Sequence, residues 1–254
     1  MLGFIMEHEW SELREMLARS NRRRIPVFFR DDDATSDIPS LRRMLHLFEE
    51  RRVPINIEVI PGLLTSDGTG LLCDSATRNP GLIGINQHGW RHENHEPTGK
   101  RCEFGASRSN FKQEQDIRAG RQILEDSFGE LFFPVFTPPW NRYTSTTCRI
   151  LAALDYAAIS AFTRSDYVTD DIITHLPATI DIIDWRGNRN LRPVDELLAG
   201  IAAQFASTRV IGVLLHHQAM NDYAFEFLAR LLDLLIDSGK ISFHLFPSLL
   251  RSDQ

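Results

Sequence analysis

Cysteine is scarce in this 254-residue chain: Cys73, Cys102 and Cys148 are odd in number, far apart and never form a CxxC pair. Neither a disulfide framework nor a cysteine zinc site is indicated, and buried or incidental thiols are expected. A basic excess is missing too. Twenty-eight Lys and Arg against 34 Asp and Glu leave a net charge of −6. That balance argues against a nucleic-acid or anionic-membrane binder, because a phosphate backbone needs a basic footprint. The short Arg22–Arg24 run does not reverse it and reads as a solvated turn. No apolar run approaches the roughly 20 residues that span a bilayer. Glu7, His8, Glu9 and Glu12 interrupt any leader-like pattern near the N-terminus, so a cytoplasmic location is expected. Also lacking are a glycine-rich phosphate loop, an internal repeat and a Pro/Gly/Ser linker. One domain over residues 1–254 is the expectation.

What is present is ordinary globular material, 43% hydrophobic and 24% charged, in a chain long enough to bury a substantial core. Glu7–Ser20 carries apolar residues at helical spacing. Ile25–Phe29 is then a short apolar run ending abruptly in Arg30-Asp31-Asp32-Asp33, as a buried parallel strand does. The alternation continues with a helix over Leu41–Arg52 and strands at Val53–Ile60 and Leu82–Ile85. A helix closed by Gly129, a strand at Phe133–Phe136, and a helix capped at Thr144 or Ser145 follow. Further strands are expected at Ala157–Phe162, Ile180–Asp184, Val210–Leu215 and Ile241–Leu245. Helices are expected from Pro193 toward Phe205 and from Tyr223 to Leu235. Strands alternating with helices imply an α/β fold with a parallel sheet and helices outside. Four strands run into polar clusters, at Asp31–Asp33, His88, Thr137–Trp140 and His216. In a closed (β/α) barrel such ends open on one face, where active sites lie, so a barrel of seven or eight strands is favoured over an open sheet.

The polar clusters themselves point to metal chemistry. His88 and His92 are separated by four positions after a strand, a spacing from which two imidazoles reach one metal. Three adjacent carboxylates, Asp31, Asp32 and Asp33, repel one another, and a nearby divalent cation relieves that repulsion. One carboxylate then stays free to act as a base on water. His216 and His217 follow an apolar strand at the same mouth and suit acid chemistry, with either as the acid. The rigid Thr137-Pro138-Pro139-Trp140 turn is able to aim a backbone N–H at a developing oxyanion. Trp185 and Phe136 are candidate walls of a substrate site, His95 and Glu93 candidate outer partners, and Lys100–Ser109 a candidate lid or exposed loop.

In motif order from about Pro26 to Leu249, the chain resembles the polysaccharide deacetylase (NodB-homology, carbohydrate esterase family four-like) family. Phe29-Arg30-Asp31-Asp32-Asp33 corresponds loosely to Thr-Phe-Asp-Asp-Gly, and His88 to His92 matches His-x-x-x-His. Thr137-Pro138-Pro139-Trp140 corresponds to Arg-Pro-Pro-Tyr/Trp, Asp181 to Trp185 to Asp-x-x-Asp-Trp, and Leu214-Leu215-His216 to Leu-x-His. The resemblance implies a distorted (β/α) barrel of NodB-homology type and a hydrolase of non-peptide amide bonds. It further implies one divalent ion, zinc with cobalt or nickel as alternatives, held by Asp33 (or Asp32), His88 and His92. Asp32 or Asp31 would be the base, His216 the acid, Asp184 the orienter of that acid, and the Pro139–Trp140 turn the oxyanion holder. A small-molecule or oligosaccharide N-acetylated substrate is implied, with a cyclic amide or ureide as the alternative and a non-catalytic carbohydrate binder as the third. Thr137 departs from the family's Arg, whose charge orients the catalytic carboxylate; the expectation is either that Arg142, Arg30 or Arg91 replaces it or that the chain handles a different substrate.

Overall fold

A computed structural model describes residues 2–22, 24–163, 171–207 and 209–251. Its strands are β1 (Ile25–Ala34), β2 (Ile55–Val59), β3 (Ile83–His88), β4 (Phe132–Thr137), β5 (Ala158–Ile159), β6 (Thr174–His175), β7 (Ile180–Asp181), β8 (Ile211–Leu215) and β9 (Ile241–Phe243). The helices are α1 (Leu2–Arg19), α2 (Pro39–Arg51), α3 (Ser66–Arg78), α4 (Asn110–Phe128), α5 (Ser145–Ala153), α6 (Val194–Ser207), α7 (Asp222–Asp237) and α8 (Phe246–Arg251). Every expected strand and helix is present, several with shifted ends. The helix α3 carries only a thin apolar stripe of Leu71, Leu72 and Ala76, and that weak periodicity is why the sequence reading passed over it. Of the Arg22–Arg24 run, Arg23 lies outside the described residues. Arg22 is half-buried and donates to the Phe205 carbonyl at 2.9 Å, so it is tied down rather than solvated.

All strand pairs are parallel, in the order β6-β5-β4-β3-β2-β1-β8-β7. The two ends of that order are neighbours in the chain. Ala178, between β6 and β7, donates to the Ala161 carbonyl on one flank, while Thr179 donates to the Gly212 carbonyl on the other. The segment 174–181 is therefore one broken strand that completes the ring. Val27 pairs with Ile211 and also with Phe243, so β9 lies beside β1 on the flank opposite β8.

Strand alternation sorts side chains into two layers. Val27, Phe29, Ile57, Ile85, Val213 and Leu215 belong to the large core under the helices. Phe28 and Val135 point the other way and join Phe246 and Leu249 of α8, which plug the barrel from below. Gly212 makes room there, since any side-chain carbon would land on the Phe28 ring. Above this apolar plug the interior turns polar, with Arg30, Asn56, Glu58, Asn86 and Thr137 all fully buried. The described helices include none long and apolar enough to cross a membrane.

Candidate active site

Plain alternation would send Asp31 and Asp33 to the same layer, with Asp32 opposite. A bulge changes that. Between Asp31–Ile57 and Ala34–Val59 the strand β1 makes three residue steps against two on β2, and Asp33 sits at φ +74°. One extra residue re-aims the side chain, so Asp32 and Asp33 both line a cleft of about 1070 Å³ at the carboxyl ends of the strands. The Gln218 side chain donates to the Asp33 carbonyl at 3.0 Å and braces the bulge.

Asp33 faces the histidines. Its Oδ1 lies 3.1 Å from His88 Nε2 and 3.4 Å from His92 Nε2. Donors bonded at 2.0–2.1 Å in a tetrahedral site are separated by about 3.3 Å, so this spacing suits a small divalent ion. Asp33 Oδ1 is buried without a properly formed hydrogen bond, and among the described residues these three groups form the cluster with the spacing to hold a metal ion. Burial acts to raise the Asp33 pKa, but His88 alongside, with His216 and His92, holds it well below the usual carboxylate range. An acceptor kept ionised beside two imidazoles fits a cation. His95 is outside the cluster.

The loop carrying His92 is anchored by a residue the sequence reading overlooked. Glu103 is fully buried and accepts the N–H groups of Trp90 at 3.1 Å and Arg91 at 2.8 Å. Burial raises its pKa, with those backbone bonds pulling the other way. Gly89, at φ +55°, has the Glu103 carboxylate and the Pro139 ring where a Cβ would go, so only glycine fits between His88 and its anchor. Below, Tyr156 donates to Gln87, whose amide donates to the Gly89 carbonyl at 2.9 Å. The candidate lid thus contributes a buried anchor, with Lys100 and Arg101 at the cleft.

Arg30 supplies what Thr137 lacks. Its Nε and Nη2 donate to the two Asp32 oxygens at 2.8 and 3.0 Å, and Nη1 donates to the Ser160 carbonyl at 2.9 Å and its hydroxyl at 3.0 Å. A further bond from Nη2 reaches Asn141 Oδ1 at 2.8 Å. All five guanidinium donors are used, and the fork fixes the plane of the Asp32 carboxylate. Arg91 packs on the Trp90 ring instead, and Arg142 donates to the Arg101 carbonyl. Glu58 lies in the same buried layer, pushed up to about 8 chiefly by burial, with Arg30 opposing.

His216 completes the cleft, with Nε2 3.8 Å from Asp32 Oδ2 and its ring edge-on to Trp185 at 4.6 Å between centroids. The neighbouring charge is Asp181. Its Oδ2 accepts the Trp185 indole N–H at 2.9 Å; burial raises its pKa, and His216 is the largest influence opposing that. Asp184, expected to orient the histidine, instead accepts the N–H groups of Arg186 and Gly187 and caps its own tight turn. Trp140 stacks edge-on against His92 at 4.3 Å, in a left-handed conformation at φ +55°. Its N–H stays out of the turn's own bonds, which run from Asn141 to Pro138 and from Arg142 to Pro139. Asp33, His92, Trp140 and Asn141 all have positive φ, and backbone strain gathered in this way marks functional sites.

Three expectations are corrected by parity. Asp31 does not reach the cleft: it faces outward, where Oδ1 accepts the His217 N–H at 2.9 Å and Oδ2 lies 2.7 Å from His217 Nδ1. His217 goes with it, which leaves His216 alone at the mouth. Phe136 likewise points outward, into a core with Phe104 and Tyr156, and does not line the cleft. The Asp31–His217 pair has a consequence for stability. Burial lowers the His217 pKa, but Asp31 more than offsets this and raises it. The stabilisation is then complete below the unfolded value of about 6.5 and is lost as pH rises through the higher folded value. Exchange of His217 for Gln is expected to destabilise the protein by about 1.5–3 kcal/mol at pH 6, with a gap to wild type that narrows by pH 9 in urea titrations. A gap that widened with pH would contradict the pairing.

No family model and no curated protein sequence matches the chain. Solved structures do. A protein from Mycobacterium smegmatis, provisionally described as a polysaccharide deacetylase, superposes with a TM-score of 0.66 at 16% identity, covering 91% of each chain. A family 4 acetyl xylan esterase from Clostridium thermocellum, in complex with a cobalt ion, gives 0.59 at 14% identity over 89% of this chain and 90% of its own. A family 4 pseudoenzyme from Bacillus anthracis gives 0.58 at 14% identity over 89% of this chain and 66% of the other. At such identities the likeness is one of architecture: this chain has the distorted (β/α) barrel fold of the polysaccharide deacetylases and family 4 carbohydrate esterases.

Proposed function

We propose that the protein is a metal-dependent hydrolase of non-peptide amide bonds that removes the acetyl group from an N-acetylated amino sugar. The observation that carries this reading is the convergence of two separate sets of groups on one cleft. One is Asp33, His88 and His92; the other is Asp32 in the Arg30 fork, with His216 3.8 Å away. A divalent ion, zinc or else cobalt or nickel, would be held by the first set and would supply Lewis acidity toward water and a carbonyl oxygen. Asp32, outside that set and oriented by Arg30, accepts the proton that water gives up on attacking the amide carbon. The Trp140 N–H stabilises the charge that builds on the carbonyl oxygen. His216 delivers a proton to the departing nitrogen, so that the C–N bond breaks to give acetate and a free amine. Trp185, 43% exposed at the mouth, offers a flat ring to the sugar.

A non-catalytic barrel is the rival that a pseudoenzyme neighbour brings to mind, and Thr137 in place of the family's arginine is the motive for it. Arg30 removes that motive, because the carboxylate is oriented without an arginine at 137. Metal analysis with single exchanges tests the reading. His88→Ala is expected to lose both bound zinc and acetate release. His216→Ala should keep its zinc and lose about 10²–10⁴ in kcat. Zinc-loaded wild type that released no acetate from acetylated amino sugars and opened cyclic ureides would shift the assignment to the alternative bond. Inertness toward both would leave the binder.

A further inference from the structure

The protein is acidic overall, at −6, yet Lys100, Arg101, Arg142, Arg186, Arg189 and Arg192 all line the one cleft. Among the described residues, its carboxylates leave four of the five arginines unneutralised. Asp32 is taken by Arg30, Asp33 faces the histidines, Asp181 accepts from Trp185, and Asp184 is occupied with its own turn. Glu196 pairs with Arg192 at 3.4 Å. Among the described residues, no carboxylate pairs with Arg101, Arg186 or Arg189, and Arg142 Nε is buried without a partner.

The backbone segments that carry these cations are held in place. Arg142 Nη1 donates to the Arg101 carbonyl at 2.8 Å, which ties the segment beside Trp140 to the one beside His95. On the His216 side, Arg186 and Arg189 stand on the 184–190 turn, where Asp184 accepts two N–H groups and the Arg189 N–H donates to the Asp184 carbonyl at 3.0 Å. Guanidinium groups recognise oxyanions through paired donors. A lone carboxylate offers two oxygens, fewer than this many forks engage; a phosphate ester or diphosphate offers more oxygens and more charge.

Resting on the proposed amide chemistry, we infer that the substrate is an acylamido sugar carrying a phosphate or diphosphate, bound by the arginines of the 101–142 and 186–189 segments while its amide reaches His216 and Asp32. A neutral polymer would leave these cations unused.

The test is calorimetric binding of N-acetylglucosamine, N-acetylglucosamine 1-phosphate and UDP-N-acetylglucosamine to the full chain. At least one phosphorylated ligand is expected to bind tenfold or more tightly than the neutral sugar. The preference should weaken from 0.05 to 0.5 M salt, as an electrostatic contact does, and collapse in Arg186→Ala/Arg189→Ala. Whichever phosphorylated ligand binds tighter identifies the source of the phosphate. Equal affinity for all three, a preference indifferent to the double exchange, or no binding at all would overturn the inference. Acetate release from neutral chitooligosaccharide by the zinc-loaded protein is measured alongside. Release without a phosphate preference sinks this inference alone. An arginine-dependent preference without cleavage of any of these amides sinks the hydrolase reading alone.

Discussion

Asp32→Asn is expected to lower kcat by about 10²–10⁴, the range for losing a positioned general base, while leaving bound zinc at the wild-type level. The separation arises because Asp32 does not belong to the Asp33–His88–His92 cluster, yet lies next to it and 3.8 Å from His216. Asparagine keeps the shape of the carboxylate and one of the two acceptors that Arg30 uses, while the basicity goes. Metal analysis, kcat and the pH–rate profile together check it. The limb of the profile assigned to the base should disappear, which a merely structural role would not produce. If Asp32→Asn lost its metal and Asp33→Asn retained it, the roles of the two aspartates would have to be exchanged.

The second large effect is on stability. Arg30→Met should destabilise the protein by about 3–5 kcal/mol, the cost of removing one partner from a buried ion pair. Arg30 and Asp32 are both essentially inaccessible to water, so Asp32 would be left largely buried without the guanidinium that balances its charge. Methionine fills much of the volume, and a cavity contributes little to the loss. Adding Asp32→Leu to Arg30→Met should recover part of the stability, because the stranded charge is then gone. Guanidinium chloride titrations of the two singles and the double read this directly. A single variant as stable as wild type, or strictly additive exchanges, would show that the pair is not coupled.

These effects hinge on residues that a linear reading treats unevenly. The histidines were visible because imidazoles four positions apart at a strand end have few other uses. The barrel was visible because apolar strands and amphipathic helices alternate, and four of the strands run into polar clusters. Glu103 gave no signal: a lone glutamate in a loop reads as solvated, and only the folded chain brings three backbone N–H groups onto it. Asp181 was overshadowed by Asp184, since a spacing of three positions does not say which carboxylate turns inward. Arg30 was one of three candidates to replace the missing arginine, and composition could not choose among them.

Read along the chain alone, the residues establish a parallel α/β barrel and the set of chemical groups at its mouth. Hydrophobic periodicity and charge are local properties, so they survive without coordinates. Which of Asp31, Asp32 and Asp33 faces the cleft, and which of His216 and His217, was settled only by folding. One bulge residue in β1 turns Asp33 against the alternation that would otherwise assign it, and whether a strand is bulged depends on the neighbour it pairs with.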